Sequence, residues 1–175
     1  ILLQILLSQN YRTHALDLFC CLFESDRFFI EQSFIIGIFP YLLKLVQSSG
    51  VQTRIYMARI WAAIFVNYPE TSVDFYREKS AKYFIDILKD PYSTEFDLNP
   101  IMNCLIEYLR LNVVYVEELY KEGLLMTLLT LSALPDYYCS SFILIGIFLR
   151  NNYGAFLENL SLIHSLIAKF TTFHH

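Results

Sequence analysis

GIFPYLLKLVQSSG, residues Gly37 to Gly50, is an apolar run that opens on a glycine and carries a proline at its fourth position. Glycine ends helices by accepting a left-handed conformation. Proline is tolerated in a helix's first turn because its missing N–H would be unpaired there anyway. The stretch therefore predicts a corner: FFIEQSFII forms one helix before Gly37, and YLLKLVQSS begins another at Pro40. Beyond the corner, Leu42, Leu43, Leu45 and Val46 recur at i, i+1, i+3 and i+4, which is one face of a helix and not the alternation of a strand.

The same four-position pattern recurs as Leu2-Leu3-Ile5-Leu6, Phe84-Ile85-Ile87-Leu88 and Leu125-Met126-Leu128-Leu129. First members at 2, 42, 84 and 125 lie 40, 42 and 41 residues apart, inside the range of roughly 40 to 47 residues of armadillo and HEAT units. Longer helical stretches sit between the anchors: YRTHALDLFCCLF, TRIYMARIWAAIF, IMNCLIEYLRL and FILIGIFLR. Shorter ones precede them: RFFIEQSFII, SVDFYREK and VYVEELYKE. Gly123 repeats the corner role of Gly37, and Lys82 stands where the middle unit would have its proline. Asn99-Pro100 reads as an N-cap and first-turn pair, with Pro135-Asp136 a further start signal. A last anchor, Leu162-Ile163-Leu166-Ile167, follows 37 residues after Leu125 with altered spacing, as in a degenerate or truncated unit.

No such unit buries its apolar face alone, so neighbours must stack into one core. We expect an all-α, right-handed armadillo/HEAT-like superhelical solenoid spanning residues 1–175, with about four units of two to three helices. The chain begins inside an apolar run and is read as an excerpt of a larger protein.

Composition narrows the function classes. Hydrophobic residues make up 55% and charged residues 17%, against about 25% charged in an average soluble domain, which excludes a disordered chain. A formal charge of −4 without any basic run argues against a nucleic-acid partner, whose phosphates need clustered Lys and Arg. Pro135-Asp136 cuts the run Leu124–Leu149 into pieces shorter than the about 20 apolar residues of a spanning helix, so no direct membrane insertion is expected. No basic leader with a small-residue cleavage site opens the chain. The final 53 residues hold only Asp136, Arg150, Glu158 and Lys169 of the 30 charged residues, from which we expect this end to be covered by further repeats, another domain or a partner.

Signals for chemistry are sparse. Cys20, Cys21, Cys104 and Cys139 fit no zinc spacing and read as reduced, buried thiols of a cytosolic protein. The four histidines supply no metal-binding pair, and neither a metal nor a cofactor is implied. There is no glycine-rich phosphate loop. The pairs Cys20/His14 and Cys104/His164 are what chance supplies, and Glu117, Glu118 and Glu122 read as a solvated helix face, so no enzyme is expected. Trp61 lies at helical spacing from Ala58 and Phe65 and reads as core, while Tyr11, Tyr92, Tyr137 and Tyr138 fall at corners where an aromatic with one polar end could anchor a partner. Peptide-gripping armadillo proteins carry Asn and Trp on the third helix. Here the polar positions are Gln4, Lys44, Asp86 and Thr127, which disfavours that mode.

Four stretches, LLSQNYRTHALDLFCCLF, GIFPYLLKLVQSS, RIWAAIF and KYFIDILKDPY, resemble in order and spacing the armadillo-type solenoid of the Raptor family, the scaffold subunits of TOR complex 1. The resemblance is strongest over residues 2–92 and continues beyond as rhythm. It departs at Asp26-Arg27-Phe28, where the family has a Gly-Pro-Trp turn. The likeness implies a non-catalytic adaptor in the cytoplasm, recruited to the lysosome or vacuole surface. Its partners would be TOR kinase, substrates carrying a TOR-signalling motif and Rag-type GTPases. The family's caspase-like domain and WD-repeat propeller would lie outside this region. An unrelated armadillo or HEAT interaction adaptor is the alternative.

Overall fold

The computed structural model describes residues 5, 6, 8–151, 154, 157, 160, 161, 163 and 164. Leu2 and Leu3 of the first anchor, and Leu162, Leu166 and Ile167 of the last, lie outside the described residues; Leu6 and Ile163 are buried. Among the described residues ten α-helices have defined bounds: α1 (Gln9–Ser25), α2 (Arg27–Ile36), α3 (Phe39–Ser48), α4 (Val51–Asn67), α5 (Ser72–Arg77), α6 (Ser80–Lys89), α7 (Asn99–Leu111), α8 (Val113–Lys121), α9 (Leu124–Leu131) and α10 (Tyr138–Asn151). Short 3₁₀ turns at Pro69–Thr71, Pro91–Glu95 and Pro135–Tyr137 link them, and no strand occurs among the described residues. The fold is all-α.

Helices α1–α3, α4–α6 and α7–α9 form three successive triplets, each with a long first helix, a middle helix and a third helix. The first helices pack in series, α1 on α4, α4 on α7 and α7 on α10; the third helices do likewise, α3 on α6 and α6 on α9. Apolar anchors explain the packing of the third helices. All four anchor residues of α6 are buried, as are Leu42, Leu45 and Val46 of α3. In α9 Leu125 and Leu128 are buried while Met126 is exposed.

Left-handed corners fall inside each triplet, between its second and third helices. Gly37 has φ 76°; its N–H donates to Phe34 O and the next N–H, of Ile38, to Ser33 O, a Schellman closure that only a left-handed residue allows cheaply. Pro40 lies in the first turn of α3, at 92° to α2. Gly123, φ 78°, sits between α8 and α9 with its N–H on Tyr120 O. The middle corner is made by Lys79, φ 50°, whose N–H donates to Tyr76 O. The three left-handed positions, 37, 79 and 123, are 42 and 44 residues apart. The repeat is therefore written in backbone as well as in side chains.

An aromatic relay joins the triplets through the core. Trp61, fully buried on α4, has ring centroids of Phe39 at 4.8 Å, Phe75 at 4.7 Å and Phe65 at 5.4 Å. Phe75 continues to Tyr108 at 5.2 Å, and Tyr108 stacks parallel on Tyr115 at 4.4 Å. Such pairs add about 0.5–1.5 kcal/mol each beyond the area they bury.

Candidate partner-binding surfaces

Polar latches between triplets recur at fixed places. Near the end of α3, Gln47 Nε2 donates to Glu78 O at 3.5 Å; at the end of α6, Lys89 Nζ donates to Glu122 O. Both carbonyls belong to the residue just before a left-handed corner, in the following triplet. A Lys82–Glu122 ion pair at 3.9 Å reinforces the second latch. Ser72 and Tyr115 hydroxyls meet at 3.1 Å, and Tyr137 donates to Phe96 O at 2.8 Å. Asn99 opens α7 but does not cap it: Asp97, two residues earlier, accepts the Asn99 N–H at 3.0 Å. The Asn99 amide is released to bridge forward, donating to Asp136 O at 3.2 Å and accepting from Ser140 at 3.0 Å.

Gly37, Pro40 and Gly123 are placed at these joints and Trp61 in the core between them; the fold does not gather the four into one site. Two grooves mark the first-helix layer. One, of about 470 Å³, runs over α1, α4 and α7, floored by Ala62 and Ala63 and edged by Glu24, Arg59, Asn103 and Glu107. Arg59 is clamped by Glu24 through two hydrogen bonds of 2.9 and 2.8 Å, with Asp17 at 3.8 Å, and the Glu24 bond holds its guanidinium still more firmly protonated. The other, of about 570 Å³, lies between the ends of α7 and α10, with Arg110 and Arg150 beside Ile143, Gly146 and Ile147.

Three expected features look different in three dimensions. Cys20 and Cys104 are buried, but Cys21 and Cys139 are exposed, because adjacent or edge positions on a helix cannot all face the core. Burial pushes the Cys20 thiol up to about 12 and raises that of Cys104 as well, so neither is a poised nucleophile. Tyr137 is buried, with its hydroxyl spent on Phe96 O, and does not stand out as an anchor; Tyr11 and Tyr92 are exposed. The carboxylates of α8 divide: Glu117 pairs with Lys121 at 2.8 Å, while Glu118 turns inward. Glu118 Oε2 and the Tyr108 hydroxyl are buried without a hydrogen-bond partner. Burial raises the Glu118 carboxyl, opposed by Lys79 and helped by Glu122. No group of three His, Cys, Asp or Glu side chains able to hold a metal occurs among the described residues. No single described helix is long and apolar enough to cross a membrane; only α2 and α3 taken together reach that length, across their 92° bend.

Stacked helical triplets with repeated corners and latches define the class: an all-α repeat protein. About half of the chain is similar to subunits of TOR complex 1 of the Raptor type, as the sequence stretches indicated. It is 38% identical over 89 residues to Target of rapamycin complex 1 subunit KOG1 of Saccharomyces cerevisiae, covering 50% of this chain and 6% of the relative. It is 36% identical over 91 residues to the Protein raptor homolog of Dictyostelium discoideum, covering 52% and 6%. It is 34% identical over 96 residues to Target of rapamycin complex 1 subunit mip1 of Schizosaccharomyces pombe, covering 55% and 7%. The chain thus spans only 6% or 7% of the length of these relatives. No family model matches it.

Proposed function

We propose that residues 1–175 are one α-solenoid region of a longer Raptor-like subunit, a non-catalytic scaffold in TOR complex 1. The observation that carries this reading is the 33–38% identity to TOR-complex or Raptor proteins of yeasts, Dictyostelium and plants, over about half the chain. The right-handed armadillo-type path belongs to the same proposal, supported by the 42- and 44-residue spacing of the left-handed corners. TOR kinase is the partner proposed first, because two of the relatives are named as subunits of its complex. Presentation of substrates carrying a TOR-signalling motif, reception of Rag-type GTPases, and a cytoplasmic protein recruited to the lysosome or vacuole follow from the same likeness. A solenoid suits such work because it offers long surfaces while each unit leans only on its neighbours.

Affinity purification of the full-length protein from its own cells tests the assignment. Recovery of TOR kinase at mild salt is expected. Repeated recovery of the intact protein without it removes the TOR assignment and leaves the repeat fold standing.

A further inference from the structure

The four first helices end at Ser25, Asn67, Leu111 and Asn151, and counting back from those ends puts them in register. Six residues back stand Phe19, Trp61, Leu105 and Ile145, every one buried. Seven back stand Leu18, Ile60, Cys104 and Leu144. Here α1 departs from the others: Ile60, Cys104 and Leu144 are 0% exposed, and Leu18 is 52% exposed. Three residues back, Ile64, Tyr108 and Phe148 are buried while Leu22 is half-buried.

What differs is the neighbour ahead. Helix α4 has α1 packed on it, α7 has α4 and α10 has α7, whereas among the described residues α1 packs chiefly on α2 and α4, both later in the chain. The side of α1 left open carries Tyr11, His14, Leu18 and Cys21, all exposed and spaced i, i+3, i+7 and i+10 along one helical face. In register with His14 and Cys21, α4 has Tyr56 and Ala63, and there the face is covered. Cys20 Sγ of α1 donates to Tyr56 O at 3.4 Å, Glu24 clamps Arg59, and Phe23 lies beside Ala62 and Ala63.

Repeat order says where a cover for α1 comes from. Helices α1, α4 and α7 end 17, 17 and 14 residues before Leu42, Phe84 and Leu125, the first members of the anchors in their triplets. Leu2-Leu3-Ile5-Leu6 has the sequence of one more third-helix anchor, and its Leu6 is buried. The same interval places the first helix of that triplet ahead of Ile1. A repeat that ends a solenoid carries a polar outer face, which the Tyr11–Leu18 side of α1 is not. A helix of the same polypeptide also escapes the entropy that a free partner loses on docking. We propose that the Tyr11–Leu18–Cys21 face is an internal seam, covered in the longer subunit by an amphipathic helix from the polypeptide ahead of residue 1, which packs on α1 as α1 packs on α4. The seam rests on the reading of the chain as one region of a longer subunit, in line with a match that covers 6% of a relative's length. It does not depend on TOR kinase.

The test puts the photo-crosslinker p-benzoylphenylalanine in place of Leu18 in the full-length protein, in its own cells, and maps the product by mass spectrometry. Expected is a link within the same polypeptide to a helix ending 14 to 17 residues ahead of Leu2. The same probe in place of Tyr92, exposed on the Pro91–Glu95 turn, should give no such link. In a second measurement Leu18→Asp should speed amide hydrogen exchange across α1 about tenfold or more, and Tyr92→Asp should leave it unchanged. A link from position 18 to a second copy, to another protein or to nothing, or unchanged exchange in Leu18→Asp, overturns the seam. Recovery of TOR kinase is scored on the same samples. The upstream link without TOR kinase removes only the TOR assignment, and TOR kinase without the upstream link removes only the seam.

Discussion

Substituting alanine at two glycines should move stability in opposite directions, for reasons local to each. At Gly37 the backbone has φ 76°, and an added Cβ would meet nothing within 4 Å, so no neighbour contributes to the cost. What remains is the left-handed conformation itself, unfavourable by about 1–2 kcal/mol for a residue with a Cβ, partly offset by about 0.4–1 kcal/mol from a stiffer unfolded chain. Gly37→Ala should therefore lose about 1 kcal/mol net. At Gly146, within α10 and exposed, an added Cβ also meets nothing within 4 Å. There the helix already suits alanine, and Gly146→Ala should gain about 0.5–1 kcal/mol. Urea unfolding followed by circular dichroism measures both, and each kcal/mol should appear as roughly 2–4 °C in melting temperature for a chain of this size. If Gly37→Ala unfolds at the parent's midpoint while Gly146→Ala is stabilised, the corner is not left-handed in solution and the argument for the joint fails.

Lys79→Gly should stabilise, since it removes a left-handed residue bearing a Cβ, and a drop in melting temperature would show that the Lys79 charge beside Glu118 outweighs the strain relieved. Because burial raises the Glu118 carboxyl, the native state holds its proton more tightly than the unfolded chain does; its stabilising effect is full below the unfolded value and is lost as pH rises through the native one. Glu118→Gln is then expected to stabilise the chain at neutral pH and to match the parent in acid, so a pH-independent difference contradicts the burial. Trp61→Ala should cost about 3–5 kcal/mol, as a large fully buried ring lost from the aromatic relay; a near-native denaturation curve would mean the relay is not where the core energy lies. In native protein a thiol reagent should modify Cys21 and Cys139 promptly and reach Cys20 and Cys104 only on unfolding, with four fast thiols as the contrary result.

How far the fold could be read in advance varied from one corner to another. Gly37 and Gly123 mark their joints by residue type, since glycine is the residue that tolerates positive φ. The middle joint carries no such mark: Lys79 is left-handed because the surrounding triplet holds it there. Its apolar anchor 84–88 and the period still place it within a few residues. Asn99 had the right chemistry for a cap, yet it is Asp97, two residues earlier, whose carboxylate accepts a backbone N–H of the first turn, that of Asn99 itself. The latches from Gln47 and Lys89 have no local signature, because donor and acceptor lie 31 and 33 residues apart.

By itself the sequence determined that the chain is helical, that its helices come in units of about 41 residues, and that its first half is worded like Raptor. Those are properties of spacing and residue type, which apolar periodicity and glycine chemistry impose locally. Only the tertiary structure decided which apolar residues stay in solvent. Met126 and Met57 are alike as residues, but one faces water and the other is fully buried because only the latter has a helix packed over it. The same reason leaves Phe28, Val73 and Val114 in solvent. Burial is a relation between units, and no single unit's sequence contains its neighbour.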